Sequence, residues 1–330
     1  MKSSFVLALN AAMVSGGVAV TTHALPQSAS AGSGQAYPNR PVRVLVGLAP
    51  GGGTDSVARL MTQKFADAFG QSFVVDNRPS AGGNVAGELA ARATPDGYTL
   101  IIVTPTHVIN PSLYRNLLFD AVKDFAGVGQ IVNAQYYLSV SNAVPAASVK
   151  ELIAVAKARN PRLTYASTGI GSANHLSGEL FKTMAGIEMT HIPYKGGAPA
   201  LSALIAGEIQ VSFTSGVIIP HSKAGRVKTI AVTGAKRTPL APEIPTINEA
   251  GLTGYEVVGW YGMAAPAKTP RAVIDRLNSA MNRVLPELRE RYAALGMDLA
   301  GGSAGDFDAL LRNERDKWAR VVKLSGAKVE

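Results

Sequence analysis

The chain has 330 residues, enough for one large or two medium domains that each bury a core. Its 47% hydrophobic and 17% charged residues exclude a disordered chain, and the absence of cysteine excludes disulfides, thiolate metal sites, a cysteine nucleophile and a lipid-bearing N-terminal Cys. The net charge of +9 comes from basic residues scattered singly, which favours attraction of anions over nucleic-acid binding, though solubility alone explains such a balance equally well.

Met1 and Lys2 give a short basic start, residues 5–20 are small and apolar, and Thr22-His23-Ala24 offers small residues where a signal peptidase reads. An export signal over 1–24 is therefore expected, with cleavage as late as 36, followed by a polar leader over 25–36. The apolar run holds Asn10, Ser15 and two glycines and falls short of the roughly 20 residues of a spanning helix. The expected location is periplasmic.

From Tyr37 onward, short β-branched runs alternate with helical stretches, the layout of strand-helix-strand units. Residues 42–48, 73–76 and 98–103 read as strands, and 55–69 and 85–92 as helices. A second set begins near Leu138. Ser148 and Glu151 form a capping box whose helix stops at Asn160-Pro161. Residues 163–166, 209–213 and 227–232 are expected as strands, and 172–185 and 199–206 as helices. Beyond a Pro-rich stretch at 239–245, Thr269-Pro270 opens a helix, and Phe307, Leu310, Leu311, Trp318, Val321 and Val322 recur at helical spacing. The expected fold is α/β with two lobes, each a central sheet flanked by helices: 37–137 plus 261–330 as lobe one and 138–260 as lobe two, hinged by two crossings.

Pro50-Gly51-Gly52-Gly53-Thr54-Asp55 joins a strand to a helix, and Ser167-Thr168-Gly169-Ile170-Gly171-Ser172 repeats that arrangement in the second set. Glycines allow close approach to backbone N–H groups, and a helix N-terminus supplies positive charge, so each turn suits a carboxylate or phosphate. A tight turn alone also explains either one. A third turn, Arg78-Pro79-Ser80-Ala81-Gly82-Gly83-Asn84, reads as structural or rim-forming. Asp55 is a candidate helix cap or a receiver of an amine or hydroxyl.

Enzyme signatures fail. The first turn lacks the Gly-Lys ending of a P-loop, and the second ends in Asn174 where a dinucleotide motif needs Gly or Ala. Gly301-Gly302-Ser303-Ala304-Gly305 has nucleophile-elbow spacing without a buried strand before it, and Asp306 reads as a helix cap. His107, His175, His191 and His221 show no i, i+4 pair for zinc. Neither a metal nor a cofactor is expected. An exported Ser-dependent hydrolase or transferase, with His175 as base for Ser172, stays open as an alternative, as does a ligand-sensing component.

At these residues the chain resembles the Bug family, the substrate-binding proteins of tripartite tricarboxylate transporters. The segments that carry the likeness are 50–55 with Ala58-Arg59, Asn77-Arg78-Pro79 with Gly82-Gly83, 95–100, 169–172 with His175-Leu176, 192–196, 242–246 with Glu249-Ala250-Gly251, and Trp260-Tyr261-Gly262 before Ala265-Pro266. The resemblance implies a type II-like periplasmic-binding-protein fold that closes on a small organic carboxylate, whether dicarboxylate, tricarboxylate, amino diacid or aromatic acid. It implies membrane transporter subunits as partners, a monomer, and no nucleic acid or catalysis. Its contacts carry over to Gly51, Gly52, Thr54 and Asp55, to Ser167, Thr168, Gly171 and Ser172, to Thr104 and Thr106 as further cleft residues, and to Tyr194 and Trp260 as wall or hinge positions. No Arg lies inside either Gly-rich turn, so helix dipoles, backbone donors and hydroxyls would hold the anion.

Overall fold

The computed structural model describes residues 37–158, 162–194 and 197–325. The expected signal and leader, the Asn160-Pro161 helix stop, and Lys195-Gly196 lie outside the described residues. From Tyr37 the chain runs β1 (Val42–Val46), α1 (Gly53–Phe69), β2 (Phe73–Asn77), α2 (Asn84–Ala91), β3 (Thr99–Val103), α3 (Pro105–Leu113) and β4 (Phe125–Gln135). It continues as β5 (Tyr137–Ser141), α4 (Val149–Ala158), β6 (Leu163–Ser167), α5 (Ala173–Ala185), β7 (Met189–Pro193), α6 (Gly197–Ala206), β8 (Val211–Thr214), α7 (Ile219–Lys223) and β9 (Val227–Val232). It closes with β10 (Val258–Pro266), α8 (Arg271–Val284), α9 (Arg289–Ala293), β11 (Met297–Leu299) and α10 (Ala304–Ser325).

These strands form two sheets, in the orders β11-β4-β10-β3-β1-β2 and β7-β6-β8-β5-β9. In the first sheet β1 lies parallel to both β2 and β3; in the second β6 lies parallel to β7 and β8. Parallel strands need crossover helices, and in each sheet those helices start at the same end of the strands. Both Gly-rich turns therefore open at the C-terminal edges of their sheets.

Only Tyr136 separates β4 of the first sheet from β5 of the second. Its N–H donates to Thr233 Oγ1 at 3.1 Å, and its carbonyl accepts from the Thr233 N–H at 2.9 Å. The Thr233 carbonyl in turn accepts from Val257 N–H at 2.8 Å, just before β10 returns to the first sheet. Thr233 has no solvent exposure, so its polar groups must be paired, and pairing ties the outgoing and returning chain together at the crossing.

Neither β4 nor α3 was expected from sequence. β4 reads Phe-Ala-Gly-Val-Gly-Gln-Ile-Val-Asn-Ala-Gln, with two glycines that look like turn residues. They are small because helices press on the strand: a Cβ at Gly127 would stand 2.9 Å from the Phe307 ring of α10, and one at Gly129 would stand 3.1 Å from Met281 Sδ of α8. In α3, Pro105 at the first turn suits a helix start, while Pro111 inside the helix hides the periodicity.

The last helix is capped differently from expectation. Its cap is Ser303, whose hydroxyl accepts from Asp306 N–H at 3.1 Å, while Asp306 Oδ2 accepts in return from Ser303 N–H at 3.0 Å. Asp306 is thus the third-position partner of a reciprocal capping box. The apolar face of α10 carries Phe307, Leu311, Trp318, Val321 and Val322 into one cluster that also holds Ile101 and Val103 of the first sheet and Leu138, Val140 and Tyr165 of the second. Buried Glu314 accepts from Trp318 Nε1 at 2.8 Å and Trp260 Nε1 at 3.2 Å, which joins α10 to the crossing strand β10. Phe307→Ala should therefore leave a cavity over β4 and β10 and destabilise the protein by about 3–5 kcal/mol in urea unfolding. A loss under about 1 kcal/mol would show that α10 is not part of the shared core.

Candidate ligand-binding site

The first turn is held by one buried carboxylate. Gly51 takes φ +81°, which favours glycine, and its N–H donates to Asp55 Oδ2 at 2.9 Å. The same oxygen accepts from Arg59 Nε at 2.9 Å, and Oδ1 accepts from Asn77 Nδ2 at 3.1 Å. Burial opposes ionisation of Asp55, but the bonds from Arg59, Gly51 and Asn77 more than offset it and hold the carboxyl below its ordinary value. Asp55 therefore neither caps α1 nor reaches out for an amine or hydroxyl: its side chain is only 5% exposed and its acceptors are engaged.

With Asp55 turned back, the cap position of α1 falls to Gly52, which offers no side-chain cap. The N–H groups of Gly53, Thr54 and Asp55 have no intrahelical acceptor, since the first helical bond runs from Ser56 N–H to the Gly52 carbonyl at 2.9 Å. Thr54 is buried and paired with the Tyr261 hydroxyl from β10, whose pKa is pushed up to about 12 by burial against the lowering effect of that bond. α3 begins in the same way: Thr104 occupies the cap position without a side-chain cap bond, Pro105 has no N–H, and His107 N–H is used by the Thr104 carbonyl at 2.9 Å. That leaves the Thr106 N–H at the head of α3.

The two helix starts converge on a cavity of about 40 Å³, lined by Thr54, Thr104 and Thr106 together with Gly82, Gly83 and His107. The third turn, expected as structural or rim-forming, contributes Gly82 and Gly83 to the lining, where Gly83 closely approaches Gly47 at the end of β1. His107 had no assigned role. Its Nε2 lies 3.0 Å from the Ala121 carbonyl, its ring stacks on Phe119, and burial lowers its pKa to about 4 despite that bond. The lining carries hydroxyls, backbone groups and a neutral imidazole beside the apolar Leu48, Ile101, Ile102 and Val103.

In the second lobe the turn after β6 satisfies itself. Ser172 caps α5 by accepting from His175 N–H at 3.3 Å and donates its own hydroxyl to the Gly169 carbonyl at 2.6 Å. Gly171 N–H donates to His175 Nδ1 at 3.1 Å, and Thr168 donates through Oγ1 to Asn174 Oδ1 at 2.9 Å. Ser167 is buried, with Oγ 2.7 Å from His191 Nε2 and 3.0 Å from the Gly169 carbonyl. Tyr194 N–H donates to the Ser167 carbonyl at 3.0 Å, fixing the end of β7 beside the turn, while Ile170 at its tip is 46% exposed.

No catalytic pair emerges from the candidate residues. The His175 ring faces Gly171 N–H instead of the Ser172 hydroxyl. The Ser–His bond that does form, Ser167 to His191, lies beneath the turn with the serine only 1% exposed. Trp260 turns away from the cleft, its ring against Phe307 and its Nε1 on Glu314. Among the described residues no group of three or more His, Asp or Glu could hold a metal ion.

His175 and His191 stack with centroids 4.0 Å apart, and Tyr165 stacks on His191 at 4.9 Å while donating to Glu179. Burial, then the charge of Lys182, lowers His175 to about 4; burial, then His175, lowers His191 to about 3. Both folded pKa values lie below the ordinary 6.5, so as pH falls the unfolded chain takes up these protons first. Their contribution to stability is full above about pH 6.5 and is lost progressively as pH drops through about 4 for His175 and about 3 for His191. His175→Gln should flatten the slope of unfolding free energy against pH between about 6.5 and 4.5. An unchanged slope would mean that His175 is already charged in the folded protein.

The family model of the tripartite tricarboxylate transporter family receptor matches residues 57–327. Among solved structures, Rpa4515 of R. palustris, determined with adipate, is 38% identical with a TM-score of 0.82 and covers 89% of this chain and 100% of its own. The periplasmic binding protein BugD is 33% identical with a TM-score of 0.79, covering 89% of this chain and 100% of its own. MatC of Rhodopseudomonas palustris, with bound malate, is 32% identical with a TM-score of 0.78, covering 87% and 100%. The two-lobed α/β fold and these likenesses are those of a non-catalytic solute-binding protein.

Proposed function

We propose, from the premise that the chain belongs to the tripartite tricarboxylate transporter receptor family of periplasmic solute-binding proteins, that it captures a small organic carboxylate and hands it to the membrane subunits of such a transporter. The observation that carries this reading is the pair of uncapped helices: α1 and α3 both open, without a side-chain cap, on one cavity that Thr54, Thr104 and Thr106 help to line. Their first-turn N–H groups need an acceptor, and their dipoles add roughly half a positive charge at each end. A carboxylate supplies both at once. That relatives of the same fold were solved with adipate and with malate supports a dicarboxylate or a similar small acid.

On this reading residues 1–24 direct export, and 37–137 with 261–330 and 138–260 are the lobes that close over the acid as a monomer. Thr54, Thr104 and Thr106 are the ligand residues of the first lobe. Gly51 and Asp55 shape the turn, Gly52 lets the acid approach, and Ser167, Thr168, Gly171 and Ser172 with Tyr194 hold the opposing wall. Trp260 fixes the crossing strand.

Binding to the folded state stabilises it by mass action, about 2.7 kcal/mol at a hundredfold excess over Kd. Purified protein, stripped of co-purified ligand, should therefore show a saturable rise in melting temperature with one class among aliphatic diacids, triacids and aromatic acids. Thr104→Val and Thr106→Val should each weaken that binding by about tenfold, the worth of one hydrogen bond to a charged group. No shift with any acid at millimolar concentration would overturn the reading.

A further inference from the structure

We infer that Gly216 and Gly296, a pair outside the cavity lining, set the spacing of the two lobes and are positioning residues for capture of the acid. The spacing stands on a contact in the structure; its bearing on capture rests on the carboxylate reading above.

Gly216 follows β8 in the second sheet, and Gly296 precedes β11 in the first. A Cβ on Gly216 would stand 2.4 Å from the Gly296 Cα, and one on Gly296 would stand 2.4 Å from the Gly216 Cα. The contact is backbone on backbone, with no flexible side chain to move aside. Carbon atoms pack at about 3.5–4.0 Å, so one added methyl would force the two segments apart by about 1 Å. Thr214 of β8 pairs with Tyr137, and Met297 of β11 pairs with Ala134, on either side of the point where the chain passes from β4 to β5. The two glycines therefore meet beside the crossing, where a small displacement grows along the length of each lobe.

Both segments are anchored. After Gly216, Ile218 is fully buried in a cluster with Tyr137, Leu204 and Val232. Gly296 takes φ +74°, which favours glycine, and its N–H donates to the Ala293 carbonyl at 2.9 Å at the end of α9. Its neighbours reach α1: the Tyr292 hydroxyl donates to the Val57 carbonyl at 3.2 Å, and Met297 Cε would lie 3.5 Å from a Cβ on Gly53. The glycine contact thus seats the second sheet on the residues that support the head of α1. A wedge there disfavours the arrangement in which both lobes reach one acid, and apparent affinity falls with the population of that arrangement.

The chain has no cysteine, so Leu118→Cys near the first sheet and Glu208→Cys near the second, both at exposed positions, can carry spin labels for a pulsed distance measurement between the lobes. Gly216 lies outside the left-handed region, so Gly216→Ala adds a methyl without backbone strain. In the ligand-stripped protein Gly216→Ala should shift the label separation by more than about 1 Å. In titration calorimetry it should weaken the acid found by thermal shift by at least about tenfold. Gly296→Ala should do the same, while Gly225→Ala, at φ +68° with open space around its Cβ, should leave both readings unchanged. An unchanged separation, or a shifted separation with unchanged affinity, would overturn the inference. A shifted separation in a protein that binds no acid would remove the carboxylate reading and leave the spacing role in place. Hydrogen exchange on the unsubstituted protein decides the matter if the variants do not fold: the bound acid should protect segments 215–218 and 294–297 together, and protection of neither would overturn the inference.

Discussion

A backbone carbonyl or N–H taken out of water has to find a partner, and the way each Gly-rich turn meets that demand decides what the cleft can hold. In the first lobe one buried carboxylate, Asp55, draws in the Gly51 N–H, Arg59 and Asn77, and Asn77 then occupies the Leu48 carbonyl. That network engages both oxygens of Asp55, while the N–H groups of Gly53, Thr54 and Asp55 at the head of α1 have no intrahelical acceptor. In the second lobe Ser167, Ser172, His175 and Asn174 do the corresponding work with neutral groups, taking up the N–H groups of Gly169, Gly171 and His175 and the Thr168 hydroxyl. The two turns look alike in sequence but are braced differently: the first by a buried carboxylate, the second by neutral side chains, with Ile170 exposed at its tip.

The rest of the fold ties together the two sheets that carry those turns. β4 and β10 lie side by side in the first sheet, and the chain crosses to the second sheet next to both, with Thr233 binding the outgoing and returning segments. Tyr261 on β10 reaches Thr54 at the head of α1, so the crossing strand touches the cavity lining directly. Trp260, one residue earlier, points to the other face and is fixed by Glu314 of α10. A movement of the lobes about the crossing would be felt at α1 through Tyr261 and in the shared core through Trp260.

Much of this was legible in the sequence where the signal is local. Alternating strand and helix patterns, the Ser148–Glu151 capping box and the strand-to-helix glycines all encode themselves within a few residues; Ser148 Oγ does accept from Glu151 N–H at 3.2 Å. What stayed hidden depends on contacts between distant segments. β4 reads as loop because its glycines answer to Phe307 and Met281, more than 150 positions away. The stack of His175 on His191 joins α5 to β7 and rests on Ser167 of β6, so no spacing rule could reveal it. Asp55 was visible as an important residue but its direction was not, because Asn77 and Arg59 turn it inward.

The most direct measurement is a crystal structure of the protein with the acid that stabilises it most. The account predicts one carboxylate group within hydrogen-bond distance of the N–H groups at the head of α1 and of Thr106 N–H at the head of α3, with Asp55 still bonded to Gly51, Arg59 and Asn77. An acid bound through the second turn alone, or an Asp55 swung out to meet the ligand, would contradict it.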